Sequence, residues 1–233
     1  MERDMTQRAV LFIGPPGAGK DTQAALLVQE YGMVQVPSSK IIRDKFAANP
    51  DDPAIQRERA IFDRGDLNTP ELVAVWIMEF VDPLAQQGKS LVFSGSPRTH
   101  HEAVVELPLL EEAFGPERIV TIALALDLDE ARRRILARRF CEAKGHVIPG
   151  TPEFSYLTTC PEDGSPLVTR ALDKADKIDI RFQQYHDLTE PVFEVIRKRG
   201  LQINEVDGSL PIQAVHQAVV GVLERNRLPV PRD

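Results

Sequence analysis

Cysteine is scarce in this chain: Cys141 and Cys160 are the only two in 233 residues. So few thiols cannot frame the disulfide scaffold of a small secreted fold, and a cytoplasmic location is the expectation. Surplus positive charge is also missing. Lys and Arg number 28 against 35 Asp and Glu, for a net charge of -7. That balance, with a pI near 5.3, excludes the broad cationic footprint that nucleic-acid binding requires and leaves locally basic clefts for small anions. No apolar run approaches the roughly 20 residues needed to span a bilayer. The early apolar stretch from Ala9 to Ile13 runs straight into Gly14 and two prolines rather than a cleavage signal. Neither a membrane span nor an export signal is expected.

What is present is an ordinary globular composition, 42% hydrophobic and 27% charged, long enough to bury a substantial core. Short apolar or β-branched runs recur at Ala9 to Ile13, Gln35 to Val36, Ser90 to Phe93, Ile119 to Leu126 and Gln202 to Val206, with helical patterns between them. Strands alternating with amphipathic helices predict a three-layer α/β fold around a parallel five-stranded sheet. The helix Lys20 to Tyr31 places Ala24, Leu27 and Val28 on one face and stops at Gly32. Asn68-Thr69-Pro70-Glu71 offers a capping hydroxyl and a first-turn proline, which predicts a helix from Leu72 to Val81.

Two stretches break the alternation: Ser38 to Leu67, read as small helices, and Arg139 to Val168, rich in Gly, Pro and short polar residues. A loop-like segment of about 30 residues over a compact core is usually a functional lid or a disordered piece. The expected division is a core of residues 1–37, 69–138 and 169–233, one insertion at 38–68 and a lid at 139–168.

The sharpest motif is Gly14, Pro15, Pro16, Gly17, Ala18, Gly19, Lys20, Asp21 and Thr22, set between a strand and a helix. In that context backbone N–H groups converge on a phosphate, the helix N-terminus adds positive potential, and Lys20 reaches the terminal phosphates. The strict pattern has Ser or Thr directly after the lysine; here Asp21 stands there and Thr22 follows.

A loop of this form followed by Thr22-Gln23-Ala24 resembles adenylate kinase and its nucleoside-monophosphate kinase relatives. The resemblance extends to Tyr31-Gly32 with Ser38 and Arg43, to Asp63 through Val73, to Pro97-Arg98-Thr99, to Arg134 and Arg138-Arg139, to Arg170 and Arg181, and to Tyr185-His186. It implies a monomeric phosphate-loop kinase that uses ATP with Mg2+ and a nucleoside monophosphate. The phosphate loop, Arg134 and Arg138 would bind ATP, with Arg134 stacked on its adenine. Ser38, Arg43, Gly65, Asp66, Leu67, Asn68, Gly95, Arg98 and Glu102 would face the monophosphate, and Lys20, Arg98, Arg138, Arg170 and Arg181 would surround the transferring group. In-line phosphoryl transfer asks mainly for positioning and charge neutralisation, which suits such a ring.

The departures bear on function. Ser94 stands where the family has an aspartate that orders the water around magnesium. Asp21 either takes over that duty or is an exposed first-turn acid favoured by the helix dipole. Glu102 replaces a glutamine that reads adenine; a carboxylate only accepts, which suits guanine's adjacent donors better and leaves the base preference open. In the lid, Cys141, Cys160 and Asp163 resemble a zinc-bearing version, but Lys144 occupies a ligand position. Zinc, which would need a substitute such as His146, is therefore not expected, and a Lys144 to Asp163 ion pair is the anticipated staple. His100-His101-Glu102 reads as a helix start capped by Thr99. Ser94, Lys40 and Leu172 keep open a nucleotide-binding regulatory protein with little or no kinase activity.

Overall fold

The computed structural model describes residues 7–170 and 173–226. Each strand of the main sheet forms where a short aliphatic run is flanked by turn residues. The strands are β1 (Ala9–Ile13), β2 (Val34–Val36), β3 (Leu91–Phe93), β4 (Ile119–Ala125) and, last in the chain, Ile203–Asp207. All pair in parallel, in the order β2, β3, β1, β4, Ile203–Asp207. β1 is buried along its whole length, as a central strand covered on both faces must be.

Helices α1 (Lys20–Tyr31), α2 (Ser38–Ala48), α3 (Pro53–Arg64), α4 (Pro70–Gln86), α5 (His100–Phe114) and α6 (Leu128–Ala137) follow in chain order. The side chains of β1 alternate between two cores. Leu11 and Ile13 join Val73, Ile77 and Leu107 on the face covered by α4 and α5. Val10 and Phe12 join Leu27 of α1 and Val219 of the C-terminal helix on the other. The three layers expected from the pattern are those observed. α1 ends as expected at Gly32, whose left-handed φ of 64° is one that glycine adopts without steric cost.

Between α6 and α7 (Ala175–Gln184) lie three short antiparallel strands, β5 (Arg139–Cys141), β6 (Val147–Ile148) and β7 (Leu167–Val168), in the order β6, β5, β7. They are followed by α8 (Val192–Lys198), β8 (Ile203–Asp207) and α9 (Ile212–Arg225). Among the described residues no helix is long and apolar enough to cross a membrane.

Two local expectations need correction. The helix placed at Leu72 to Val81 extends to Gln86 and contains Pro83, where the apolar period weakens but the chain stays helical for one more turn. Thr69 stands at the N-cap but its hydroxyl caps nothing. It donates instead to Glu58 of α3, a carboxylate that also accepts from the Thr69 N–H at 2.9 Å and from Asn68 Nδ2 at 2.9 Å. Glu58 is 5% exposed, and its charge survives burial because these donors surround it and hold its pKa below the ordinary value. The junction between α3 and α4 is thus fixed by one buried acid. Thr99, by contrast, caps α5 as expected, accepting from Glu102 N at 3.1 Å.

Candidate functional site

The chain turns from β1 into α1 through glycines that side-chain geometry makes obligatory. A Cβ on Gly17 would lie 2.8 Å from the Ala131 carbonyl oxygen, and Gly19, the N-cap of α1, has φ 92°. The loop folds around its lysine: Lys20 Nζ donates to the Gly14 and Pro15 carbonyls at 2.6 and 2.9 Å. Burial pushes the Lys20 pKa down to about 7, with Asp21 acting in the opposite direction and Arg98, Arg181 and Arg138 adding to the fall. An ammonium so placed is short of negative charge.

Of the residues expected in the site, all but Pro15 line one cleft: Gly14 and Pro16 through Thr22, Ser38, Arg43, Gly65 through Asn68, Gly95, Arg98, Glu102, Arg134, Arg138, Arg170 and Arg181. Distant segments meet because the parallel strands all end at this edge of the sheet, where the loops that follow them form a crevice.

One end of the cleft is built by α6 and the turn after β8. Arg134 donates through Nε to Glu130 at 2.7 Å and through Nη1 and Nη2 to the Gly208 and Ser209 carbonyls at 2.8 and 3.1 Å. These bonds fix the guanidinium plane. Gly150 of the lid lies over the same helix so closely that a Cβ there would sit 1.9 Å from the Arg134 carbonyl oxygen.

In the middle, Asp173 organises the arginines. It takes a bidentate pair from Arg138, Nε at 3.0 Å and Nη2 at 2.6 Å, and a third contact from Arg181 at 3.3 Å. Arg170 lies with its Cζ 3.4 Å from the centre of the Phe140 ring, a cation–π platform provided by the lid strand β5. Burial lowers the Arg170 and Arg181 pKa values to about 10, with repulsion from Arg138 the next cause for both. Phe140 went unnoticed in the sequence because an apolar residue on a short strand reads as core. Leu172 lies outside the described residues.

At the other end, Arg98 reaches across Gly95 to Ser39 Oγ at 3.4 Å. A Cβ on Gly95 would stand 2.6 Å from Arg98 Nη2, so the guanidinium passes close over the Gly95 backbone. Ser38 Oγ is buried and, among the described residues, has no hydrogen-bond partner, a hydroxyl placed to meet a ligand. Asp66 accepts from Gln184 Nε2 of α7 at 3.0 Å, which ties the turn after α3 to that helix. The Asn68 side chain, which also lines the cleft, donates through Nδ2 to the Glu58 carbonyl and carboxylate at 2.7 and 2.9 Å.

Glu102 accepts from the backbone N–H of Arg98 at 2.7 Å. Its neighbour Glu106, wholly buried, has both carboxyl oxygens within 2.7 Å of Ser96 Oγ. Burial, followed by the charge of Glu102, pushes the Glu106 pKa well up. Burial also raises the Glu102 pKa.

In the lid, the anticipated Lys144 to Asp163 pair does not form. Asp163 faces His146 at 3.7 Å, and Lys144 only lends its backbone N–H to Cys141 Sγ at 3.3 Å. Ligand atoms of Cys141, His146, Cys160 and Asp163 all lie within 4.8 Å of one another. Hydrogen bonds from Ser165 hold the Asp163 carboxyl far below the usual range. The substitute ligand named from the sequence, His146, stands in the position that Lys144 cannot fill. His100 and His101 take no part in this group, the only one of its kind among the described residues.

Comparison with known proteins agrees with the geometry. The family described as adenylate kinase matches residues 12–201. The chain is 31% identical to an adenylate kinase of Pelobacter propionicus over 92% of its own length and 96% of that protein. It is 32% identical to one of Sphingopyxis alaskensis over the same shares, and 28% identical to one of Archaeoglobus fulgidus over 93% of its own length and 98% of that protein. The chain belongs to the adenylate kinase family and is a nucleoside-monophosphate kinase, a phosphotransferase built on a phosphate-loop α/β core.

Proposed function

We propose that ATP lies with its phosphates on the loop from Gly14 to Thr22 and its adenine against Arg134, while AMP lies at the opposite end with its phosphate on Arg43, Arg98 and the Ser38 hydroxyl and its base beside Gly65 to Leu67. Transfer then takes place in the ring of Lys20, Arg138, Arg170 and Arg181. No side-chain nucleophile is needed, because an oxygen of the AMP phosphate attacks and ADP leaves. Seven cations line the cleft, Lys20, Arg43, Arg98, Arg134, Arg138, Arg170 and Arg181, against four acids, Asp21, Asp66, Glu102 and Asp173. That surplus is the observation that carries the reading, since the phosphates of two nucleotides supply the missing negative charge. Mg2+ bound with ATP would add to the neutralisation.

The lid and the small insertion would close over the substrates and exclude water, to which a poised phosphoryl group otherwise transfers. On this proposal the chain acts as a monomer, as its resemblance to adenylate kinases implies. The two free thiols suit a cytoplasmic setting, and the acidic balance argues against a nucleic-acid partner. The Cys141, His146, Cys160 and Asp163 donors suit a tetrahedral structural zinc site that would brace the lid.

Glu102 fits an AMP acceptor because one of its oxygens already serves the Arg98 N–H, which takes away half of the acceptor edge that guanine would use. Turnover measured with ATP and each of AMP, GMP, CMP and UMP should be at least about tenfold faster with AMP; GMP faster than AMP would overturn this base assignment.

Lys20 gives a pH signature. Its pKa of about 7 in the free protein leaves it mostly neutral at about pH 8, whereas bound phosphates favour the ammonium. ATP binding at that pH should therefore take up close to one proton, and affinity should fall as pH rises through Lys20's free-state pKa. Calorimetry in buffers of different ionisation enthalpy reads the uptake, which Lys20→Met should abolish; wild-type binding without proton uptake would contradict the assignment.

Elemental analysis of protein purified without chelator or affinity metal should find about one zinc per chain, and much less in Cys160→Ser. Metal-free wild-type protein would remove zinc from the account.

A further inference from the structure

The acids that line the cleft differ in what they are free to do. Asp173 is held by Arg138 and Arg181. Glu102 accepts from the Arg98 N–H, and Asp66 is engaged by Arg64 and Gln184. Asp21, exposed in the first turn of α1, is the one cleft carboxylate that, among the described residues, accepts no hydrogen bond and closes no ion pair within bonding distance. Its charge nevertheless acts on Lys20 and Arg170, partly opposing the fall that burial imposes on both pKa values.

Its place in the chain is that of a metal-side group. The residue immediately after the lysine of a phosphate loop points along the β- and γ-phosphates, and in phosphate-loop proteins generally a Ser or Thr hydroxyl there meets the magnesium ion. The neighbouring strand offers no substitute: Ser94, at the end of β3, is buried, uncharged and bonded through Oγ to Gln35 Nε2 at 3.0 Å. A hard divalent cation entering a cleft so rich in arginine and lysine needs an anionic oxygen besides those of the nucleotide.

Building on the proposed ATP site, we infer that Asp21 is the protein's anionic foothold for the divalent cation that accompanies ATP, holding it directly or through its water. Asp21 is then a positioning residue for the metal, and this chain gathers phosphate cradle and metal anchor into one loop. The rival role, an acid that merely favours the helix N-terminus, would affect stability and leave metal affinity alone.

Mn2+ provides a probe that does not depend on turnover. Its affinity for the protein–ATP complex can be measured by electron paramagnetic resonance, beside ATP affinity in the presence of chelator. In Asp21→Ala the Mn2+ dissociation constant of the ternary complex should rise about tenfold, in the range seen when a carboxylate supporting a metal is lost. ATP binding in chelator should be no weaker than in the wild type, because a negative charge has left the phosphate site. Asp21→Asn, of the same shape without the charge, takes its place if the alanine variant does not fold. A rise of less than about threefold, or an equal loss of ATP affinity in chelator, overturns the proposal. Wild-type protein that binds no ATP would instead overturn the ATP site on which it rests.

Discussion

Repulsion among the arginines of the cleft is the constraint around which this molecule is arranged. Burial lowers the pKa values of Arg170 and Arg181, the Arg138 charge lowers both further, and burial with the neighbouring arginines brings Lys20 down to about 7. A single buried carboxylate, Asp173, keeps two of them in place. The ring of Phe140 carries the third from the lid side. Such an assembly is unsatisfied without anions, and unsatisfied charge is what gives nucleotide phosphates their advantage over water. On the proposed reading the same groups then stabilise the charge of the transferring phosphoryl.

The rest of the fold makes that concentration of charge tolerable. Aliphatic cores on both faces of the sheet hold the strand ends in register, and the loop glycines let backbone N–H groups approach where side chains would collide. The segment 38–68 joins the rest of the fold both through polar contacts, Asp66 with Gln184 and Glu58 with Asn68 and Thr69, and through Ile41, Ile42 and Phe46, which pack in one apolar cluster with Val73 and Trp76.

Much of this could be read in the chain. A strand running into glycines and a lysine reveals a phosphate loop because few residues satisfy its backbone geometry, and the arginines were traceable only through the chain's resemblance to adenylate kinases. The sheet followed from aliphatic runs that have no other place to be buried. Residues whose meaning depends on a partner far away were harder. Thr69 has the local signature of a cap, yet a buried Glu58 eleven positions earlier takes its hydroxyl. Lys144 holds the position expected of a lid ligand, but the turn after Cys141 carries His146 toward Asp163 instead. Phe140 looked like core until Arg170 was found lying on it. In each case the deciding contact crosses between elements, where one-dimensional spacing carries no information.

The central claim is that the cleft passes a phosphoryl group from one nucleotide to the other and not to water. Phosphorus NMR of ATP and AMP mixed with the protein and Mg2+ tests this most directly. The account predicts two ADP for each pair consumed, no build-up of inorganic phosphate, and loss of the conversion in Lys20→Met. Release of phosphate from ATP while AMP stays unchanged, or no conversion by the wild-type protein, would contradict it.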